Sequence, residues 1–144
     1  LIADSIIEAT LDGAALDTTS FNGERLAFTL SEGEHVLAIT AVCRFSNTGE
    51  GLHRFVDPVD SRVYCYTQLE VADARRVYAC FDQPDLKATY SVTVLAPADW
   101  KVISNGATVE VAKAAAGQQL LPGVTRAHDG VDLALGLGLR QIEQ

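Results

Sequence analysis

The chain has 144 residues, 48% of them hydrophobic, which suits one domain with a sizeable core or one domain plus a tail, and argues against disorder throughout. Its formal net charge of −8 repels phosphate backbones and anionic membrane surfaces, so neither nucleic acid nor a membrane is an expected partner. No apolar run approaches the roughly 18 residues of a spanning helix. Cys43, Cys65 and Cys80 are odd in number and contain no CxxC pair, which suggests neither a disulfide framework nor a thiolate zinc site and fits a reducing cytoplasm.

From Ile6 to Val111 short alternating segments are separated by turn chemistry, the pattern of a β-rich sandwich. Asp12-Gly13 and Asn22-Gly23 both tolerate the positive φ of tight turns and predict two hairpins, or one hairpin and a turn. Glu34 to Phe45 is the clearest strand of the first half, with Leu37, Ile39, Ala41, Cys43 and Phe45 on the face predicted to be buried. Asn47 to Gly51 reads as a loop, and Asp57-Pro58 opens another turn. Between them lies LHRFV, in which His53 reads as a loop or core histidine.

The next strand carries the most information. Period-two alternation puts Tyr64, Tyr66, Gln68 and Glu70 on one face, and Val63, Cys65, Thr67, Leu69 and Val71 on the other. The second row is a core face. The first joins aromatic side chains to an amide and a carboxylate, as the wall of a pocket for a cationic group would. By residue type alone, an exposed strand glutamate is usually just solvated, and paired tyrosines usually pack across strands.

Ala72 to Cys80 is too short for more than a helical turn, and Gln83-Pro84 ends it. One of Arg75 and Arg76 is expected to pair with Asp73, Asp82 or Asp85. The acidic run around Gln83 lacks calcium-loop spacing and reads as a turn. Lys87 to Leu95 alternates as a strand, Pro97 to Trp100 turns the chain, Lys101 to Ser104 resumes it, and Asn105-Gly106 folds it into ATVEVA. The expected division is a β-domain over 1–112 and an unassigned tail or linker over 113–144. The composition of that tail leaves open a last strand pair, a short helix or residues extraneous to the domain.

The segment YTQLEVADARRVYACFDQPDLKATYSVTVLAPADWKVISNG keeps the order TQ-x-E, AR, C-F-D-x-P and KA-x-Y over many consecutive positions. With GEGLHRFVDPVDSRVYCYTQ before it, it resembles the N-terminal domain of bacterial-type zinc aminopeptidases of the aminopeptidase N family, from about Ile6 to Gly106. That resemblance implies an all-β, saddle-like or sandwich domain whose strand end reaches over a catalytic domain. It also implies that Glu70 binds the free α-amine of a peptide substrate and that Gln68 lines the pocket for the first side chain.

An exopeptidase must measure the distance from amine to scissile carbonyl, and a fixed carboxylate facing an ammonium can do so. The family's HExxH zinc motif is absent, since His35, His53 and His128 lack its spacing, and a chain with no methionine cannot hold Gly-x-Met-Glu-Asn. Zinc is therefore expected in the catalytic domain of a parent enzyme, with no cofactor, metal ligand or catalytic residue on this chain. The chain is expected to be a fragment, inactive alone, that lacks its opening strands and pairs with further copies through exposed strand edges. The competing class is a non-catalytic β-sandwich that serves interaction or scaffolding.

Overall fold

The computed structural model describes residues 1–81, 83, 85, 86, 88–97, 100–103, 112–114 and 118–126. Among them the regular structure is antiparallel strands and one turn of 3-10 helix, so the chain is all-β. Strands β1 (Ser5–Leu11), β2 (Ala14–Ala15) and β3 (Leu37–Val42) form one sheet in the order β2-β1-β3. Strands β4 (Gly51–Val56) and β5 (Val63–Gln68) form a hairpin. Strands β6 (Thr89–Pro97), β7 (Ala112–Ala114) and β8 (Gln118–Arg126) form a third sheet in the order β6-β8-β7. Both β8 and most of β7 lie in the segment that composition left open, and β8 runs against the whole of β6, from Thr89 opposite Arg126 to Pro97 opposite Gln118.

The first turn forms as its dipeptide dictates. Asp12 and Gly13 take φ of 52° and 81°, joining β1 to β2 with Leu11 opposite Ala14. Asn22-Gly23 does not make a hairpin. The Asn22 side-chain oxygen accepts from the amides of Glu24 (3.1 Å) and Arg25 (2.9 Å), closing the bend locally, and no strand flanks it.

The strand expected from Glu34 starts only at Leu37, because Asp12 intervenes: its backbone N–H donates to the Val36 carbonyl and its carboxylate accepts from the Val36 N–H, both at 2.8 Å. The predicted alternation holds, with Ile39, Ala41, Cys43 and Phe45 more covered than Ala38, Thr40, Val42 and Arg44. That face is only half-buried, however, and Leu37 at its start is exposed.

The turn from Asp57 to Arg62 forms as predicted. The Asp57 carboxylate accepts from Val59 N–H, the Asp60 carboxylate accepts from Arg62 N–H, and Asp57 N–H donates to the Arg62 carbonyl. Pro97 and Trp100 also close their expected turn, the Trp100 N–H donating to the Pro97 carbonyl at 3.1 Å. Lys101–Ile103 do not resume a strand, and Asn105-Gly106 lie outside the described residues.

The β4–β5 hairpin has two unlike faces. Leu52 stands opposite Thr67, both buried, and Arg54 opposite Cys65, both half-buried. Leu52 is the largest fully buried side chain among the described residues, and Val77, just past the 3-10 turn at Ala74–Arg76, is buried as well. The sequence placed Val71 on this core face. It is instead 82% exposed, because β5 stops at Gln68 and the alternation stops with it.

Removing the Leu52 side chain to Cβ deletes three buried carbons where the hairpin rests on the chain beneath it. Leu52→Ala should lower unfolding free energy by about 2–5 kcal/mol. Urea denaturation followed by tryptophan fluorescence checks this, and a loss under about 1 kcal/mol would show that Leu52 is not central to packing.

Candidate functional site

On the outer face of the hairpin, His53 stands opposite Tyr66 and Phe55 opposite Tyr64. The rings form a continuous row, with centroids 4.8 Å apart for His53–Tyr66, 6.0 Å for His53–Phe55 and 5.3 Å for the stacked Phe55–Tyr64 pair. The two tyrosines are thus cross-strand packing partners, and the Tyr64 hydroxyl donates to the Asp60 carboxylate at 2.9 Å. His53 belongs to a strand rather than a loop, and its Nδ1 is buried with no hydrogen-bond partner among the described residues.

Gln68 ends β5 on this same face, opposite Gly51 and half-buried. Glu70 is not on the strand. It lies two residues further on, exposed, in a turn closed by the Asp73 N–H donating to the Leu69 carbonyl at 3.0 Å. The Glu70–Val71 peptide is cis. The side chains of Gln68 and Glu70 have no hydrogen-bond or ion-pair partner among the described residues, which leaves an amide and a carboxylate free at the rim of the hairpin.

The chain just after Glu70 is fastened by arginines. Arg76 Nε donates to Asp73 Oδ1 at 2.7 Å, the pairing expected from sequence, and Arg75 Nε donates to the Ala72 carbonyl at 2.9 Å. Sequence reading missed Gly51. It has φ of +64°, and a Cβ built on it would lie 2.9 Å from Arg76 Cβ and 3.1 Å from Arg76 Cδ, so the arginine stem occupies space that any side chain at 51 would need. The only trace in the sequence is the doubled glycine of GEG, which reads equally well as a flexible loop.

The family model for the peptidase M1 N-terminal domain matches residues 8–121, most of the chain. The chain belongs to the peptidase M1 N-terminal domain family. It is 56% identical over 112 residues to an aminopeptidase N of Streptomyces lividans, covering 76% of this chain and 13% of that protein. It is 31% identical over 105 residues to aminopeptidase Ey of Gallus gallus (67% of this chain, 10% of the relative). With aminopeptidase N of Oryctolagus cuniculus it shares 43% identity over 44 residues (31% and 5%). The chain thus spans a small part of the length of these relatives.

Other clusters of this M1 N-terminal domain carry less. A cleft of about 380 Å³ lies beside Arg76, but its charges are already paired: Arg44 with Asp4 at 2.6 Å, Glu50 with the Thr48 hydroxyl at 2.8 Å, and Arg76 with Asp73. No group of three His, Cys, Asp or Glu among the described residues could hold a metal ion. Cys43, Cys65 and Cys80 form no disulfide, and burial pushes the first two above the ordinary thiol range, away from nucleophilic character. No helix among the described residues is long and apolar enough to cross a membrane.

Asp12, His35 and Ser31 have the outline of a nucleophilic triad: His35 Nδ1 is 2.7 Å from Asp12 Oδ2, and Nε2 is 3.3 Å from the Ser31 hydroxyl. The Ser31 carbonyl oxygen, 3.2 Å from Nε2, decides against it. It rewards a proton on Nε2, and an imidazolium cannot take one from a hydroxyl. The Asp12 hydrogen bond, followed by that carbonyl, raises the His35 pKa above its usual value, while the Val36 N–H and then His35 lower that of Asp12. The cluster is a brace between the first turn and β3.

The sign follows from His35. A folded pKa above the unfolded value near 6.5 gives stabilisation that is full below that value and lost as pH rises through the folded pKa. An NMR titration should find His35 titrating above 6.5, and Asp12→Asn should bring it down. An unshifted His35 would dissolve the brace.

Proposed function

We propose that this domain is the substrate-binding N-terminal part of a zinc-dependent aminopeptidase, and that Glu70 receives the free α-amine of the peptide to be cleaved. The observation that carries the proposal is the placement of Glu70: an exposed carboxylate without a partner among the described residues, one turn beyond a strand rim, in a domain 56% identical to part of a protein named aminopeptidase N. A carboxylate already satisfied by an arginine would have to break that pair to accept an ammonium. This one does not. Gln68, half-buried at the end of β5 and also without a side-chain partner among the described residues, is proposed to border the space taken by the first side chain.

Removal of one residue at a time needs a fixed distance between the amine anchor and the scissile carbonyl. The anchor supplies no bond making. It holds the substrate so that a metal-activated water, on zinc ligands contributed by a catalytic domain, meets the first peptide carbonyl. The partners of the domain under this reading are a peptide N-terminus and that catalytic domain. Three cysteines outside any disulfide favour a reducing compartment, and we place the parent protein in the cytoplasm.

In the full-length parent, Glu70→Ala should reduce kcat/KM on amino-acid anilides by about tenfold to a hundredfold or more, matching the roughly 1.5–3 kcal/mol of a charge-assisted hydrogen bond. Unchanged kcat/KM would remove Glu70 from the proposal. A full-length protein with no peptidase activity at all would favour a non-catalytic interaction module.

The 144-residue chain by itself presents Phe55, Tyr64 and Tyr66 at about two-fifths exposure, and we expect it to self-associate. Sedimentation velocity should show a weight-average mass rising with concentration. A concentration-independent monomer would contradict that expectation.

A further inference from the structure

Glu70 is useful as an anchor only if the turn that carries it is held still, and the turn makes few bonds of its own. Between the end of β5 at Gln68 and the 3-10 turn at Ala74–Arg76, the backbone bond within the segment is Asp73 N–H to Leu69 carbonyl. The Arg76 N–H also donates to the Asp73 carbonyl at 3.0 Å, and the side chains of the two arginines each reach back three residues: Arg75 Nε to the Ala72 carbonyl and Arg76 Nε to the Asp73 carboxylate. The two differ in their own support. The Arg76 stem lies against Gly51, which stands directly across the hairpin from Gln68. Arg76 therefore ties the turn to the strand that sets the register of the site, through carbon packing on one side and a charge-assisted hydrogen bond on the other.

We infer that Arg76, seated on Gly51 and bonded to Asp73, is a positioning residue that fixes Glu70 relative to Gln68. The inference rests on the function proposed for Glu70. The Arg76 Nε donor is spent on Asp73 at 2.7 Å, and its role is to make the Leu69–Asp73 turn a rigid extension of the hairpin. Gly51 belongs to the same device, because a methyl group there would meet the arginine Cβ at 2.9 Å, with the positive φ as a second obstacle. Asp73 is its other end, linking the guanidinium to the backbone bond that closes the turn.

The test is a double-mutant cycle in the full-length parent protein. Arg76→Lys keeps the charge and most of the stem but loses the Nε donor, and Asp73→Asn weakens the same bond from its other end. Each should raise KM for peptides with a free α-amine by roughly threefold to tenfold with kcat nearly unchanged. In a Glu70→Ala background neither should matter further, because an anchor that is absent cannot be misplaced. Gly51→Ala should behave in the same way as the two polar variants.

Additive losses in the cycle, or unchanged KM where Glu70→Ala alone is damaging, would overturn the positioning role and leave the amine anchor standing. An ineffective Glu70→Ala would overturn both. A general loss of folding is separated by thermal unfolding of each variant: equal melting temperatures with unequal KM support the inference, whereas KM values that simply follow melting temperature count against it.

Discussion

The pairing of Gly51 with Gln68 is the constraint on which the rest of the site depends. Strand register has no half-steps: a slip of one residue would exchange the buried Leu52–Thr67 pair for the aromatic row and carry Gln68 to the opposite face. Burial of Leu52 makes that slip costly, so the hydrophobic contact beneath the hairpin determines which polar groups appear on its surface. The glycine adds a second condition. With no side chain at position 51, the segment after β5 can fold back until the Arg76 stem touches the hairpin, and the turn bearing Glu70 is caught between the two contacts.

The outer face shows how packing and availability are divided along one strand. Tyr64 and Tyr66 are occupied by Phe55, His53 and the Asp60 carboxylate. Those contacts stiffen the hairpin toward its Asp57–Arg62 turn. At the opposite end the pairing partners run out: Gln68 faces a glycine, and Glu70 lies beyond the last ladder bond. A face packed against itself at one end and open at the other is directional, and among the described residues its open end carries an amide and a carboxylate without partners.

Much of the fold was legible because alternation and turn dipeptides are local signals. Asp12-Gly13 made its hairpin, the Asp57–Arg62 turn closed on its own carboxylates, and Val63, Cys65 and Thr67 faced inward as the period of two requires. Asn22-Gly23 left open a second hairpin or a turn, and the Asn22 side chain closes the turn without strands. The failures also have local causes. The tyrosine-to-glutamate row was extended two residues too far, since nothing in its alternation signals where a ladder ends; a backbone bond between Leu69 and Asp73 ends it. Gly51 and Arg76 as a pair were beyond reach, because their contact joins residues 25 apart and depends on an approach that no propensity encodes.

Charge pairing explains how an arginine can serve a site meant for a cation. A guanidinium on the segment that follows Glu70 would, if unpaired, be drawn to that carboxylate and would oppose an arriving ammonium, since like charges within a few Å repel and opposite charges in partial burial attract by several kT. Asp73 prevents this. Its 2.7 Å bond to Arg76 makes the pair close to neutral at a distance, and its half-buried position keeps solvent from loosening the bond. The segment from Glu70 to Arg76 then holds two carboxylates and two guanidiniums: Asp73 and Arg76 are paired, Arg75 turns back onto the Ala72 carbonyl, and Glu70 has no partner among the described residues. The stem of Arg76 can be used for its length and its Nε for its direction, because its charge is met by Asp73.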